Sequence, residues 1–183
     1  MPVNKYNIIY ADPPWQYADK ATAGKRGAVY KYDLMDLEAI KALPVADLAA
    51  PDCLLAMWWT SPLPQEALDV VKAWGFELKT MTGFCWVKKT KNWKDFFGMG
   101  NWTRANPECC LFAIRGKPKR VSASVRQLIY AQHRGHSVKP DEARTRLVDL
   151  MGDIPRVELF ARQQTAGWDV WGNEVEGSID WLG

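Results

Sequence analysis

The chain has 183 residues, 48% of them apolar and 12% aromatic, which is enough for one compact core and short for two full domains. Its 24 basic and 21 acidic side chains leave a formal charge of +3, so no global basic field exists and any grip on a polyanion must come from local clusters. The opening MPVNKYNIIYAD lacks the basic region, apolar segment and small-residue cleavage site of a signal peptide, and no apolar run approaches the roughly 20 residues of a membrane span, so a single cytoplasmic domain over 1–183 is expected.

The first predicted strand, NIIYA at 7–11, runs into Asp12 and two prolines. QYADKATAGKRGAVYKYD (16–33) carries no apolar periodicity and reads as a loop. DLEAIKALP (36–44) starts at an aspartate cap and reads as a helix; CLLAMWW (53–59) reads as a buried strand; PLPQEALDVVKAWG (62–75) is a helix that opens on prolines and stops at Gly75. GFCWVK (83–88) and CCLFAI (109–114) are strands on either side of a basic, aromatic-rich segment at 88–108. A polar loop at 131–142 leads into the helix KPDEARTRLVDLMG (139–152), and RVELFA (156–161) is the last predicted strand. The tail after Gly167 holds too many tryptophans for a solvated tail and should pack back on the domain. Strands spaced by amphipathic helices predict an α/β fold with a mostly parallel sheet.

Cys53, Cys85, Cys109 and Cys110 lie inside apolar runs without a C-x-x-C spacing, which predicts core filling in a reducing compartment and neither a zinc site nor a disulfide framework. His133 and His136 form H-x-x-H, and two imidazoles without further close ligands predict no metal site.

Asp12 sits at the carboxyl end of the first strand, where ligands gather in open α/β sheets. Pro13 pushes Asp12 away from helical geometry, and Pro13 and Pro14 fix their own φ and donate no backbone hydrogen bond. The turn therefore offers acceptors only. A carboxylate beside a backbone carbonyl would receive the two hydrogens of an amino group, with the Trp15 ring against the plane that carries it. Read locally, the same four residues also fit a plain strand-ending turn with Trp15 as a core plug.

DPPW after a short apolar strand resembles the catalytic motif of the MT-A70 family of adenine N6-methyltransferases. The ordered blocks YDLMDLEAI, LLAMWWT, GFCWVKK, GNWTRANPECCLFAIRGKP, HSVKPDEARTRLVDLMGDIPRVELFAR and GWDVWGNE are similar to the family's succeeding segments. The resemblance implies a Rossmann-like S-adenosylmethionine (SAM) methyltransferase with a permuted motif order, the catalytic motif first and the cofactor blocks last. It accounts for the lack of an N-terminal G-x-G-x-x-G.

By resemblance, Asp12 and the Pro13 carbonyl would hold the adenine amine, Pro14 would stiffen the turn, Trp15 would form a wall, and Asp12 would also border the cofactor. Lys139 would pair with the methionine carboxylate, Glu158 and Arg162 would address the ribose, Gln164 and Thr165 would lie beside it, and Asn173 with Glu174 would form the adenine end, although an amide is common where Glu174 stands. The basic and aromatic residues Lys20, Lys25, Arg26 and Tyr32, together with Lys88, Lys89, Lys91, Trp93, Lys94, Trp102 and Arg104, are candidates for nucleic-acid contact, an electrostatic grip that salt would weaken steeply. The implied activity is methyl transfer to adenine N6 in DNA, in a bacterial or phage setting. RNA as substrate, or a non-catalytic nucleic-acid-binding subunit of the same fold, are the alternatives. No separate recognition domain fits in this length, which leaves specificity relaxed or shared with a second copy in a homodimer.

Overall fold

A computed structural model describes residues 5–15, 35–100, 102–135 and 138–180. Seven strands form one sheet: β1 (Tyr6–Ala11), β2 (Ala49–Trp59), β3 (Glu77–Lys89), β4 (Glu108–Arg115), β5 (Leu128–Gln132), β6 (Arg156–Leu159) and β7 (Asp169–Trp171), in the order β5-β3-β4-β2-β1-β6-β7. The helices are α1 (Leu37–Ala42), α2 (Val45–Leu48), α3 (Pro64–Ala73) and α4 (Glu142–Met151).

The sheet is mostly parallel, as expected, but mixed: four of its six pairings are parallel and a single strand is reversed. β1 pairs in parallel with β2 and β6, as β3 does with β5 and β6 with β7, but β4 runs antiparallel to both of its neighbours, β2 and β3. The reversal has a functional consequence. The first residue of β4 is brought to the edge where β1, β2, β6 and β7 end.

Side-chain alternation along β1 and β2 divides the core between two faces. Ile9, Ala11, Leu55 and Met57 pack with α1, α2 and α3 through Ile40, Leu48, Val70 and Trp74. Ile8, Tyr10, Leu54, Ala56 and Trp58 pack with Ala143, Leu147 and Met151 of α4. Asp36 caps α1 by accepting the Ala39 N–H at 2.7 Å. Trp74 then ties α3 to α1 by donating its indole N–H to the Ile40 carbonyl at 2.9 Å. Gly75, at φ +79°, ends α3 in a conformation that costs glycine little.

Two strands and one helix are not visible as apolar runs. β5 starts before the predicted polar loop and takes in its first two residues; it is an edge strand in which Ile129 is buried while Leu128 and Tyr130 are 42% and 50% exposed, so its signal is diluted. β7 has only three residues; through it and the buried Trp168 and Val170 the tail packs back as expected. α2 is a single turn.

Candidate active site

Asp12 is the first residue after β1. Because Ala11 lies level with Met57 of β2 and Leu159 of β6, Asp12 shares its edge with the segments that follow both strands. The turn is held from below. The Pro13 carbonyl accepts the Trp15 N–H at 2.9 Å, which uses one of its two lone pairs, and Trp15, 9% exposed, donates its indole N–H to the Trp58 carbonyl at 3.0 Å. Trp15 thus anchors the turn to β2 and fills the core beneath it.

Lys139 lies between two acids. Its Nζ is 3.2 Å from Asp12 Oδ2, 3.0 Å from Glu108 Oε2 and 5.7 Å from the centre of the Trp58 ring. Lys88 Nζ lies 2.6 Å from Glu108 Oε1, so the row Asp12, Lys139, Glu108, Lys88 alternates in sign. Glu108 is the residue that antiparallel β4 delivers to this edge. Its sequence signal is an acid immediately before an apolar strand, but the strand's direction is what makes it part of the site.

Burial raises the Asp12 carboxyl above its ordinary range; Lys139 opposes this and the neighbouring Glu108 charge adds to it. Burial acts on Glu108 in the same sense, but Lys139 and Lys88 together outweigh it and hold that carboxyl below its ordinary range. Burial opposes the charge on Lys139 as well, yet Asp12 and Glu108 raise the ammonium's pKa overall. Of two acids on one lysine, Glu108 is the fixed anion and Asp12 the better proton acceptor.

On β6, level with Tyr10, Glu158 is 5% exposed and receives both arms of the Arg144 guanidinium, Nε to Oε2 at 2.6 Å and Nη2 to Oε1 at 2.7 Å. Arg144 also stacks over the Tyr10 ring, 5.5 Å from its centre. The sequence did contain a signal for Arg144. It stands in the i, i+3, i+4, i+7 stripe with Leu147, Val148 and Met151, where an arginine needs a buried partner. Glu158 and Arg162 are not paired with each other: Arg162 lies 3.7 Å from Glu174 in a more open setting.

The segments after β6 and β7 meet at Gly172, where a Cβ would fall 2.2 Å from the Ala161 carbonyl oxygen, so only glycine lets Asn173 and Glu174 follow so close to the β6 end. Thr165 Oγ1 is buried and has no hydrogen-bond partner among the described residues, while Gln164 bonds the Glu176 carbonyl at 2.6 Å. The partly exposed Arg162 and Glu174 side chains at this end suit a polar ligand.

Of the nucleic-acid candidates, Lys20, Lys25, Arg26 and Tyr32 lie outside the described residues, as does His136. Lys88 is engaged with Glu108, and Lys89 with Asp95 at 2.6 Å. Lys91, Trp93, Lys94, Trp102 and Arg104 are exposed. His133 stacks on Phe96 with ring centres 4.7 Å apart, and so supports the segment between β3 and β4. Cys85 and Cys109 face each other across β3 and β4 with sulfurs 3.0 Å apart, and burial with the Cys85 contact pushes the Cys109 thiol up to about 12.

The MT-A70 family matches residues 6–174. The type II methyltransferase M.MunI of a Mycoplasma species is 33% identical over 193 residues, spanning 96% of this chain and 80% of that protein. The human N(6)-adenine-specific methyltransferase METTL4 is 32% identical across 93% of this chain and 37% of its own length. The N6-methyladenosine RNA methyltransferase MTA1 of Pyricularia oryzae is 30% identical across 93% of this chain and 47% of its own length. The last two are more than twice as long as the stretch they share with it. With its strand-end Asp-Pro-Pro-Trp turn and matched blocks along nearly the whole sequence, the chain belongs to the MT-A70 family of methyltransferases.

Proposed function

We propose that the protein transfers the methyl group of SAM to the N6 amine of adenine in DNA, with Asp12 as the acceptor that orients the amine. The observation that carries this reading is the Asp12 carboxylate at the β1 edge, held through one oxygen by Lys139 at 3.2 Å and raised in pKa by burial. Its other oxygen is available to an N–H. The Pro13 carbonyl, with one lone pair left, is a second acceptor beside it.

The adenine amino lone pair is delocalised into the ring, so accepting its two hydrogens favours a more tetrahedral nitrogen whose lone pair is free to attack. The cofactor, when bound, supplies a sulfonium methyl group as electrophile. As the N–C bond forms and the C–S bond breaks, the nitrogen becomes cationic and one proton must leave, and Asp12, with its raised affinity for a proton, is placed to stabilise and then accept it. No metal is needed for this step.

For the cofactor, Lys139 would hold the methionine carboxylate, Glu158 and Arg162 the ribose, and Gln164, Thr165, Asn173 and Glu174 the remaining polar groups. The close approach of the Gly172 turn to the β6 end, which brings Glu174 beside Arg162, supports that assignment. In this reading the catalytic turn precedes the cofactor blocks, a permuted order.

DNA is favoured over RNA because the relative of which this chain covers 80% is the type II methyltransferase, whereas it covers 47% of the RNA-named one. Incubation with labelled SAM and matched DNA and RNA oligonucleotides, followed by identification of the methylated base, tests both substrate and chemistry. N6-methyladenine in DNA is expected, and its absence in both polymers would overturn the reading. A non-catalytic subunit would bind nucleic acid without SAM heat in calorimetry.

A further inference from the structure

The segment between β3 and β4 is rooted in the active site. Its two stems are joined by the Lys88–Glu108 ion pair at 2.6 Å, and Glu108 in turn touches Lys139, which touches Asp12. The stems of this segment therefore lie at the site where the target adenine is proposed to sit.

The segment is also built. The Asn106 side chain donates to the Lys88 and Phe96 carbonyls at 3.1 and 2.7 Å and accepts the Lys88 N–H at 2.8 Å, and Gly98 donates to the Ala105 carbonyl at 2.6 Å. Phe96 turns inward onto His133, with ring planes 14° apart. Against that frame Phe97, Met99 and Trp102 point outward at 71%, 92% and 99% exposure. Apolar side chains presented on a hydrogen-bonded frame mark a binding face.

Charge selects the partner. Lys91, Lys94 and Arg104 are exposed on the same segment and have no carboxylate within ion-pair distance among the described residues, whereas Lys88 and Lys89 are neutralised by Glu108 and Asp95. The segment thus combines three cations with four large exposed apolar side chains, Trp93 at 59% exposure being the fourth. A phosphate backbone answers the cations, but paired and stacked bases leave Phe97 and Trp102 nothing to stack on. Unpaired bases answer both.

We propose that the β3–β4 segment is a stacking surface for unpaired nucleotides flanking the target adenine, so that the acceptor is single-stranded or locally opened nucleic acid. This rests on the adenine-methyltransferase reading above and names the form of its substrate. The three cations of this segment that lack a carboxylate partner among the described residues would contribute about −2 to the log-affinity against log-salt slope.

The test compares methyl transfer to one oligonucleotide sequence as a single strand, as a duplex, and as a duplex with a central unpaired bubble, using the wild type and the double variant F97A/W102A. Both rings are exposed, so folding is not at stake. Wild-type kcat/KM is expected to be at least tenfold higher on the single strand and the bubble than on the duplex. The variant should lose at least tenfold on the single strand, through KM, with S-adenosylhomocysteine affinity unmoved. Equal use of the duplex, or a variant unchanged on the single strand, would overturn the stacking proposal alone. So would a change in oligomeric mass between wild type and variant, which would assign the face to a second copy. No transfer to any strand, with S-adenosylhomocysteine still bound, would instead overturn the adenine reading beneath it.

Discussion

Asp12 at the end of β1 and Glu158 on β6 stand one strand apart at the same edge, and the fold holds their charges in opposite ways. Glu158 is gripped by a planar guanidinium that is always charged and meets both oxygens at 2.6 and 2.7 Å. Asp12 has a single contact at 3.2 Å to an ammonium that it shares with Glu108. A forked pair fixes an orientation, while a shared point charge leaves one oxygen and a proton affinity to adjust. The contrast teaches which acid is poised for chemistry and which is set to position a ligand.

The most severe break should come at Asp12. Asp12→Ala is expected to lose methyl transfer by about 10³-fold or more while still binding S-adenosylhomocysteine, and Asp12→Asn should be similarly impaired because half of its amide presents a donor where an acceptor is required. Single-turnover rates with calorimetry check this, and retained activity in either variant removes Asp12 from the chemistry. Neither change should lower the melting temperature at neutral pH. A carboxyl with a raised pKa stabilises the fold below its unfolded value of 3.8 and loses that contribution as pH rises through the folded value.

The fork should fail differently, in stability first. Arg144→Met leaves Glu158 buried and unpaired, a loss of roughly 3–5 kcal/mol in urea unfolding. The double variant R144M/E158L should recover most of it. If it does not, the loss lies in packing against Tyr10 and not in the stranded charge.

A smaller change sharpens the contrast between the two acids on Lys139. Glu108 raises Asp12, so Glu108→Gln should move the acid limb of the kcat/KM profile to lower pH; a shift upward would mean that Glu108 does not act on Asp12. Stability should respond with the opposite sign from Asp12. Glu108, whose pKa is lowered, contributes above its ordinary 4.5 and loses that contribution as pH falls through the folded value, so the variant should flatten the acid side of the unfolding profile.

Much of this frame was legible in the sequence, because buried strands are continuous apolar runs and helix ends carry their own punctuation: NIIYA, CLLAMWW, the cap at Asp36 and the stop at Gly75 all stand where patterning places them. Strand direction was not legible. Nothing local in CCLFAI states that β4 is reversed, and that reversal is what carries Glu108 to Lys139. Pairing partners were equally hidden. Spacing makes Glu158 and Arg162 look like neighbours, but Glu158 lies on an extended strand and reaches Arg144 fourteen residues earlier on a helix, while Arg162 turns to Glu174. Exposure was the third gap, since KKTKNWKDFF reads as a basic stretch until two of its lysines are seen to be paired.

The pair that remains, Arg162 with Glu174, gives the smallest expected effect. It is separated by 3.7 Å, with side chains 30% and 45% exposed, and such a contact contributes about 0–1 kcal/mol. Glu174→Gln should therefore leave urea unfolding almost unchanged. At the proposed adenine end, however, an amide offers both a donor and an acceptor where a carboxylate offers acceptors only. Affinity for S-adenosylhomocysteine should accordingly stay the same or tighten. A tenfold weakening would mean that the negative charge itself is used, through Arg162, to orient the ribose end of the site, and Glu174 would then join Glu158 among the acids that position and do not react.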